Sequence, residues 1–201
     1  MKSRIIIAVI LIPLIICLFS AITVVYDKEF YTNELAKFGS SEKLIAANEQ
    51  IGKYMNGSGS LDAVAGLTAA EKSHLADVKD IMSDLPIVFI VLLLLFFSLL
   101  QRTKEKRKVL LYGGLAAAAI PVIFAIIPFD SVFTAFHQLF FPQGNWMFSP
   151  DSLLIQIYSI QFFYDAAFRI FGQGFVAGIV FAAATLAKPK HSLRRKNKLS
   201  P

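Results

Sequence analysis

The sequence predicts an all-α integral membrane protein: four transmembrane helices, with two extracellular connections forming an interfacial, aromatic-rich cap. Three observations carry that prediction. The 201 residues are 56% hydrophobic, more apolar than an ordinary soluble domain. Four apolar runs, Ile5 to Val25, Leu85 to Leu100, Val109 to Pro128 and Phe171 to Ala187, contain no charge. Basic residues gather at alternate ends of those runs, as they do in multi-pass proteins.

A hydrocarbon core of about 30 Å takes roughly 17 to 25 helical residues to cross. The first and third runs meet that length, whereas the second and fourth borrow flanking residues, so the spans are placed at about 5–25, 85–101, 109–128 and 168–187. The first run follows Lys2 and Arg4 and ends its "LIPLII" stretch at Cys17, which invites comparison with a lipoprotein signal. Bulky Ile16 before the cysteine, the lack of a small-x-small cleavage site and the length of the run favour a retained helix. A single cysteine excludes a disulfide within the chain, and its place in an apolar run marks it as inert packing.

Charge then orients the chain. Lys2 and Arg4 precede the first span, "QRTKEKRK" at the second turn carries five basic residues against Glu105, and the tail "KPKHSLRRKNK" carries six with no acid. Residues 26–84 hold ten acids against six lysines, and 129–165 hold three aspartates without lysine or arginine. The N-terminus, residues 101–108 and the tail are therefore expected in the cytoplasm, with 26–84 and 129–167 outside a plasma membrane. The net charge of +6 resides in cytoplasmic flanks that face anionic lipid, which argues against nucleic acid as a partner.

The first connection is patterned. Residues 41–55 place Leu44, Ile45, Ala47, Ile51 and Met55 in a loose helical stripe, ended by "NGSGS". Thr68 followed three residues later by Glu71 is a capping box that opens a helix through "LTAAEKSHLADVKD". That helix is amphipathic, suited to the interface plane, with Pro86 as an elbow into the second span. The second connection holds 13 of the 26 aromatics between Phe129 and Phe171, including Trp146. Its "FPQGNWMFSPD" contains two prolines and a glycine and must be non-helical in part, so the region reads as a half-inserted, aromatic-rich roof over a cavity that opens outward.

Two histidines stand on this outer side. His74 lies three residues from both Glu71 and Asp77, a spacing at which either carboxylate can fix an imidazole tautomer and raise its basicity. His137 lies among Phe133, Phe136, Phe140 and Phe141, where an unpaired imidazole is costly. A solvated surface histidine and a core histidine bonded to a carbonyl are the plain alternatives, and His191 in the tail reads as solvated. Asn145 and Asp165 are weaker site candidates, read otherwise as a turn residue and a helix cap. There is no G-x-S-x-G elbow, H-E-x-x-H motif, cysteine cluster or glycine-rich phosphate loop. No metal or cofactor is expected, although the two histidines and nearby acids could gather one.

The combination of "LTAAEKSHLADVKD", "FHQLFFPQGNWMF" and "LLIQIYSIQFFYDA" between four spans resembles the lipoprotein intramolecular transacylases of low-GC Gram-positive bacteria. The resemblance runs from the first span to the fourth. It implies an acyltransferase that moves the sn-2 acyl chain of an S-diacylglyceryl-cysteine lipoprotein to its free N-terminal amine, giving the lyso-form. The family's two essential histidines fall on His74 and His137, as acid and base in an unassigned order. Glu71 and Asp77 are then the expected orienters, with Asn145, Trp146 and Asp165 in support, and Trp146 and the phenylalanines packing acyl chains or anchoring the interface. The expected partners are a diacylglyceryl lipoprotein and membrane lipid, and the expected assembly is a monomer. "IYSIQFF" lacks a proline expected near Gln161. An intermolecular acyltransferase using the same histidines, a non-enzymatic scaffold or assembly factor, and, less well matched to charge-free spans, a transporter are the alternatives.

Overall fold

The computed structural model describes residues 2–186. Along the chain run α1 (Lys2–Val25), α2 (Lys28–Lys37), α3 (Glu42–Met55), a 3₁₀ turn (Leu61–Ala63), α4 (Ala69–Gln101), α5 (Lys106–Phe124), α6 (Phe129–Phe140), α7 (Leu153–Ile157) and α8 (Ile160–Leu186). Four of these, α1, α4, α5 and α8, are long and apolar enough to cross a membrane.

The spanning helices pack around α1, which touches α4, α5 and α8, while the most extensive contact joins α5 to α8. Small residues explain that contact. A Cβ on Gly178 would lie 2.6 Å from the Ala118 nitrogen and 2.7 Å from the Gly114 oxygen, and one on Gly114 would lie 2.8 Å from the Ala182 nitrogen. Gly114 and Ala118 on α5 thus meet Gly178 and Ala182 on α8 at four-residue spacing, which lets backbones approach where lipid removes the hydrophobic drive between helices. Leu11, Ile12 and Ile16 of α1 fill the remaining core with Val109, Ala117 and Phe96. Ile87, Ile90, Val91 and Leu94 of α4 stay exposed, the expected condition of a lipid-facing surface.

At the end where α1 and α5 finish and α4 and α8 begin, the short helices build a cap with its own core. Leu35 of α2, Ala47 and Ile51 of α3, Leu75 of α4 and Leu153 and Leu154 of α7 are buried together there. Helix α3 covers the predicted stripe, and Gly57 after it takes the positive φ of 76° that its C-terminal turn requires. The α4 capping box is formed as predicted: Thr68 accepts from the Glu71 N–H while Glu71 accepts from the Thr68 N–H.

Four expectations change. Helix α4 runs without a break through Pro86, so the interfacial helix and the second span are one element. Proline removes the N–H that would reach the Met82 carbonyl, and the Tyr26 hydroxyl donates to that carbonyl at 3.0 Å instead. Helix α8 begins at Ile160, making Phe162, Phe163 and Tyr164 its first turns; the sequence there holds no proline to break it. Its Arg169 places a charge in a helix whose span was read as uncharged, paired with Asp27 at 2.6 Å. Helix α2, which periodicity does not single out, is nucleated by Asp27, whose carboxylate accepts from the Glu29 and Phe30 N–H groups at 3.0 and 3.1 Å. Ala187, the basic tail and His191 lie outside the described residues.

Candidate active site in the cap

Helix α4 presents His74 in its second turn and α6 presents His137 in its third. The imidazoles come together with ring centroids 6.3 Å apart and planes 28° from parallel. Aromatic rings enclose the pair. Phe141 and Phe148 stand 4.6 and 5.6 Å from His74, and Phe133 and Trp146 stand 4.0 and 4.8 Å from His137. Both histidines are buried.

Their hydrogen bonding differs. His137 Nδ1 lies 2.8 Å from the Phe133 carbonyl oxygen; because a carbonyl only accepts, the proton sits on Nδ1 and the neutral ring keeps its lone pair on Nε2. His74 Nδ1 is buried without any partner. Burial above all, then the charge His137 would carry, lowers the His74 pKa to about 4 against the opposing pull of Asp77. Burial also lowers that of His137, while the bond to Phe133 works in the other direction. Both rings are therefore neutral near pH 7.

The predicted supporting residues divide. Glu71 does not orient His74. Its Oε2 accepts from the Thr68 N–H and hydroxyl at 2.7 and 2.8 Å, and its Oε1 accepts from the Leu154 N–H at 2.9 Å, tying the start of α4 to α7. Burial opposes its ionisation, but the Leu154 and Thr68 donors outweigh that, and its pKa falls below the usual range. Asp77 makes no hydrogen bond to His74 either; its Oδ2 accepts from Gln143 Nε2 at 2.8 Å and Asn145 Nδ2 at 2.6 Å. Trp146 does reach the site, against His137. Asp165 does not: it pairs with Lys37 and accepts from Gln161, binding α8 to α2. Among the described residues no three His, Cys, Asp or Glu side chains gather as a metal site would require. Sequence reasoning missed Gln143 and Ser73, since an exposed amide and a helix hydroxyl carry no recognisable signal.

A family model described as lipoprotein intramolecular transacylase Lit matches residues 5–163. The chain belongs to the Lit family. It is accordingly a multi-pass membrane protein of a transacylase family that acts on lipoproteins. Solved structures of the membrane-integral Lit from Bacillus cereus are similar to it at 20% identity. One has a TM-score of 0.76 and is matched over 91% of this chain and 93% of that chain. Two variants of that protein, with a histidine replaced by arginine or by alanine, match at 0.74 over 92% of this chain and 90% or 91% of theirs. At this identity the likeness establishes the Lit fold. Comparison with curated protein sequences returns no match.

Proposed function

We propose that this Lit-family chain moves the sn-2 acyl group of an S-diacylglyceryl-cysteine lipoprotein onto the cysteine's own α-amine, on the extracellular side of the plasma membrane. The product is the N-acyl, S-monoacylglyceryl lyso-form. The observation that carries this reading is the histidine pair, 6.3 Å between centroids, enclosed by aromatic side chains. The distribution of lysine and arginine about the spans supports the outward orientation, with both termini cytoplasmic.

The free α-amine has a pKa of about 8 and is mostly ammonium at neutral pH, so it must lose a proton before attack. His137 is the base in this reading. Its Nε2 lone pair is available, and the Phe133 carbonyl can hold Nδ1–H as the ring becomes an imidazolium. The nitrogen bonds to the sn-2 carbonyl carbon and the carbonyl electrons move onto oxygen. His74, kept neutral, donates an N–H to that oxyanion. Collapse breaks the bond to the glyceryl oxygen. The His137 imidazolium returns its proton to that oxygen, which leaves as a hydroxyl, and the neutral ring then takes the second proton from nitrogen and passes it to water. Amine and ester belong to one molecule, so the enzyme gains chiefly by folding the head group into a near-attack geometry, and a monomer suffices.

Mass spectrometry of a reporter lipoprotein, made in a host that does not N-acylate, tests the reading. Co-expression should shift one acyl chain from glycerol to the amine without a change in mass, and His74→Asn or His137→Asn should abolish the shift. A free-amine diacyl product at full expression would reject it.

A further inference from the structure

The histidine pair has no open approach in this structure. His74 is 9% exposed and His137 6%. Neither lines the small apolar void around Cys17 and Pro121, nor the groove along α8 at Val176 and Val180. A diacylglyceryl head group is far larger than any gap that such burial leaves.

Besides Phe133 and Phe136 of α6, which flank His137, one segment supplies the cover. Phe141 and Phe148 pack on His74 and Trp146 packs on His137, and all three lie in residues 141–152, the non-helical connection between α6 and α7. Gly144 takes a φ of +77° in a turn where its N–H donates to the Phe141 carbonyl, between Pro142 and Pro150.

The attachment of this segment is narrow. Within 142–148, the hydrogen bonds to other elements converge on one face of α4. Gln143 Nε2 donates to Asp77 Oδ2 at 2.8 Å, and Asn145 Nδ2 donates to the same oxygen at 2.6 Å and to Ser73 Oγ at 3.2 Å. A carboxylate only accepts, so Asp77 fixes the Asn145 amide with its nitrogen toward α4. Closure also leaves His74 Nδ1 and Asn145 Oδ1 buried without partners. Unmade bonds of this kind are unusual in a permanent core, and they disfavour the covered state relative to one that hydrates them or offers them a ligand.

We infer that residues 141–152 are a lid over the histidine pair, latched shut by Asp77 through Gln143 and Asn145, which must lift before the substrate head group reaches the imidazoles. Asp77 is then a positioning residue that acts through the lid. The inference rests on the proposed role of His74 and His137 as the reacting pair.

The test uses the full chain, purified in a Cys17→Ser background, and reads histidine access and acyl transfer separately. Access is the rate at which diethyl pyrocarbonate modifies His74 and His137, mapped by peptide mass spectrometry. Asp77→Ala should raise that rate several-fold. Gln143→Ala, which changes an exposed loop side chain and leaves α4 intact, should raise it by a smaller factor. In Asp77→Cys/Gln143→Cys, a short bis-methanethiosulfonate bridge should return modification to the slow wild-type rate and cut turnover of a diacylglyceryl lipopeptide at least ten-fold. A reductant should reverse both effects. Equal modification rates in the wild type, both alanine variants and the bridged protein would overturn the lid, as would unchanged turnover in the bridged protein. A protein that follows the predicted access pattern yet transfers no acyl chain keeps the lid and rejects the proposed function.

Discussion

The spanning bundle and the cap are held together by different means. Between α5 and α8 the backbones meet through Gly114, Ala118, Gly178 and Ala182, and the cohesion is close packing, with a polar contact at one end, where Arg107 donates to the Thr185 carbonyl at 2.6 Å. The cap resembles a small soluble domain. It buries Ile51, Leu75 and Leu154 against water and then spends side-chain hydrogen bonds on register: Glu71 to Leu154, Tyr158 to Asn48 at 2.8 Å, and Asp77 to the 142–146 turn. A bundle of the first kind tolerates little movement, because added volume meets backbone. A cap of the second kind concentrates its attachments in a few polar contacts, so parts of it can move while the rest stays folded.

The largest expected effect breaks the chemistry while sparing both regions. His74→Asn or His137→Asn should lower kcat about 10²- to 10⁴-fold, the usual weight of a general acid or base, with little change in melting temperature in detergent. In the wild type, the acid limb of kcat should lie below the value of about 6.5 for a solvated histidine, because burial depresses both pKa values. The linked stability has a definite sign: a depressed imidazole favours the neutral fold, so its contribution is complete above about pH 6.5 and is lost as the pH falls toward the folded value of about 4 for His74. A limb at or above that of free imidazole would remove the buried pair from the rate-determining chemistry.

Glu71→Ala should attack the cap alone, at about 3 kcal/mol, by leaving the Leu154 and Thr68 N–H groups without an acceptor. Proteolysis confined to 141–160, with the spanning helices intact, would mark the loss. Gly178→Val is the counterpart in the bundle. Its side chain meets the Ala118 and Gly114 backbone and should cost about 2 kcal/mol through overpacking, seen as a lower unfolding temperature of the whole chain. Tyr26→Phe, which leaves the Met82 carbonyl opposite Pro86 without a donor, should cost only about 1 kcal/mol by the same measure. If Glu71→Ala and Gly178→Val instead unfold the protein identically, the cap and the bundle are one cooperative unit.

Much of the fold is legible in the chain because its signals are local. Apolar run length marks the four spanning helices, the Thr68–Glu71 pair marks the start of α4, and the glycine and serine cluster marks the end of α3. Where a reading went astray, a partner distant in sequence intervened. Pro86 was expected to bend the chain, but the Tyr26 hydroxyl supplies the bond that proline withholds. Glu71 has helical spacing to His74, yet α7 folds back 83 residues later and places the Leu154 N–H where it captures the carboxylate. Asp77 is drawn toward Gln143 and Asn145 in the same way. By itself, then, the sequence determined the helices, the membrane character and two histidines in unusual company, since these follow from periodicity, composition and charge. Only the tertiary structure decided that His74 and His137 lie ring to ring, which tautomer His137 holds and what covers the pair, because each depends on contacts between segments that helix packing, not sequence spacing, brings within bonding distance.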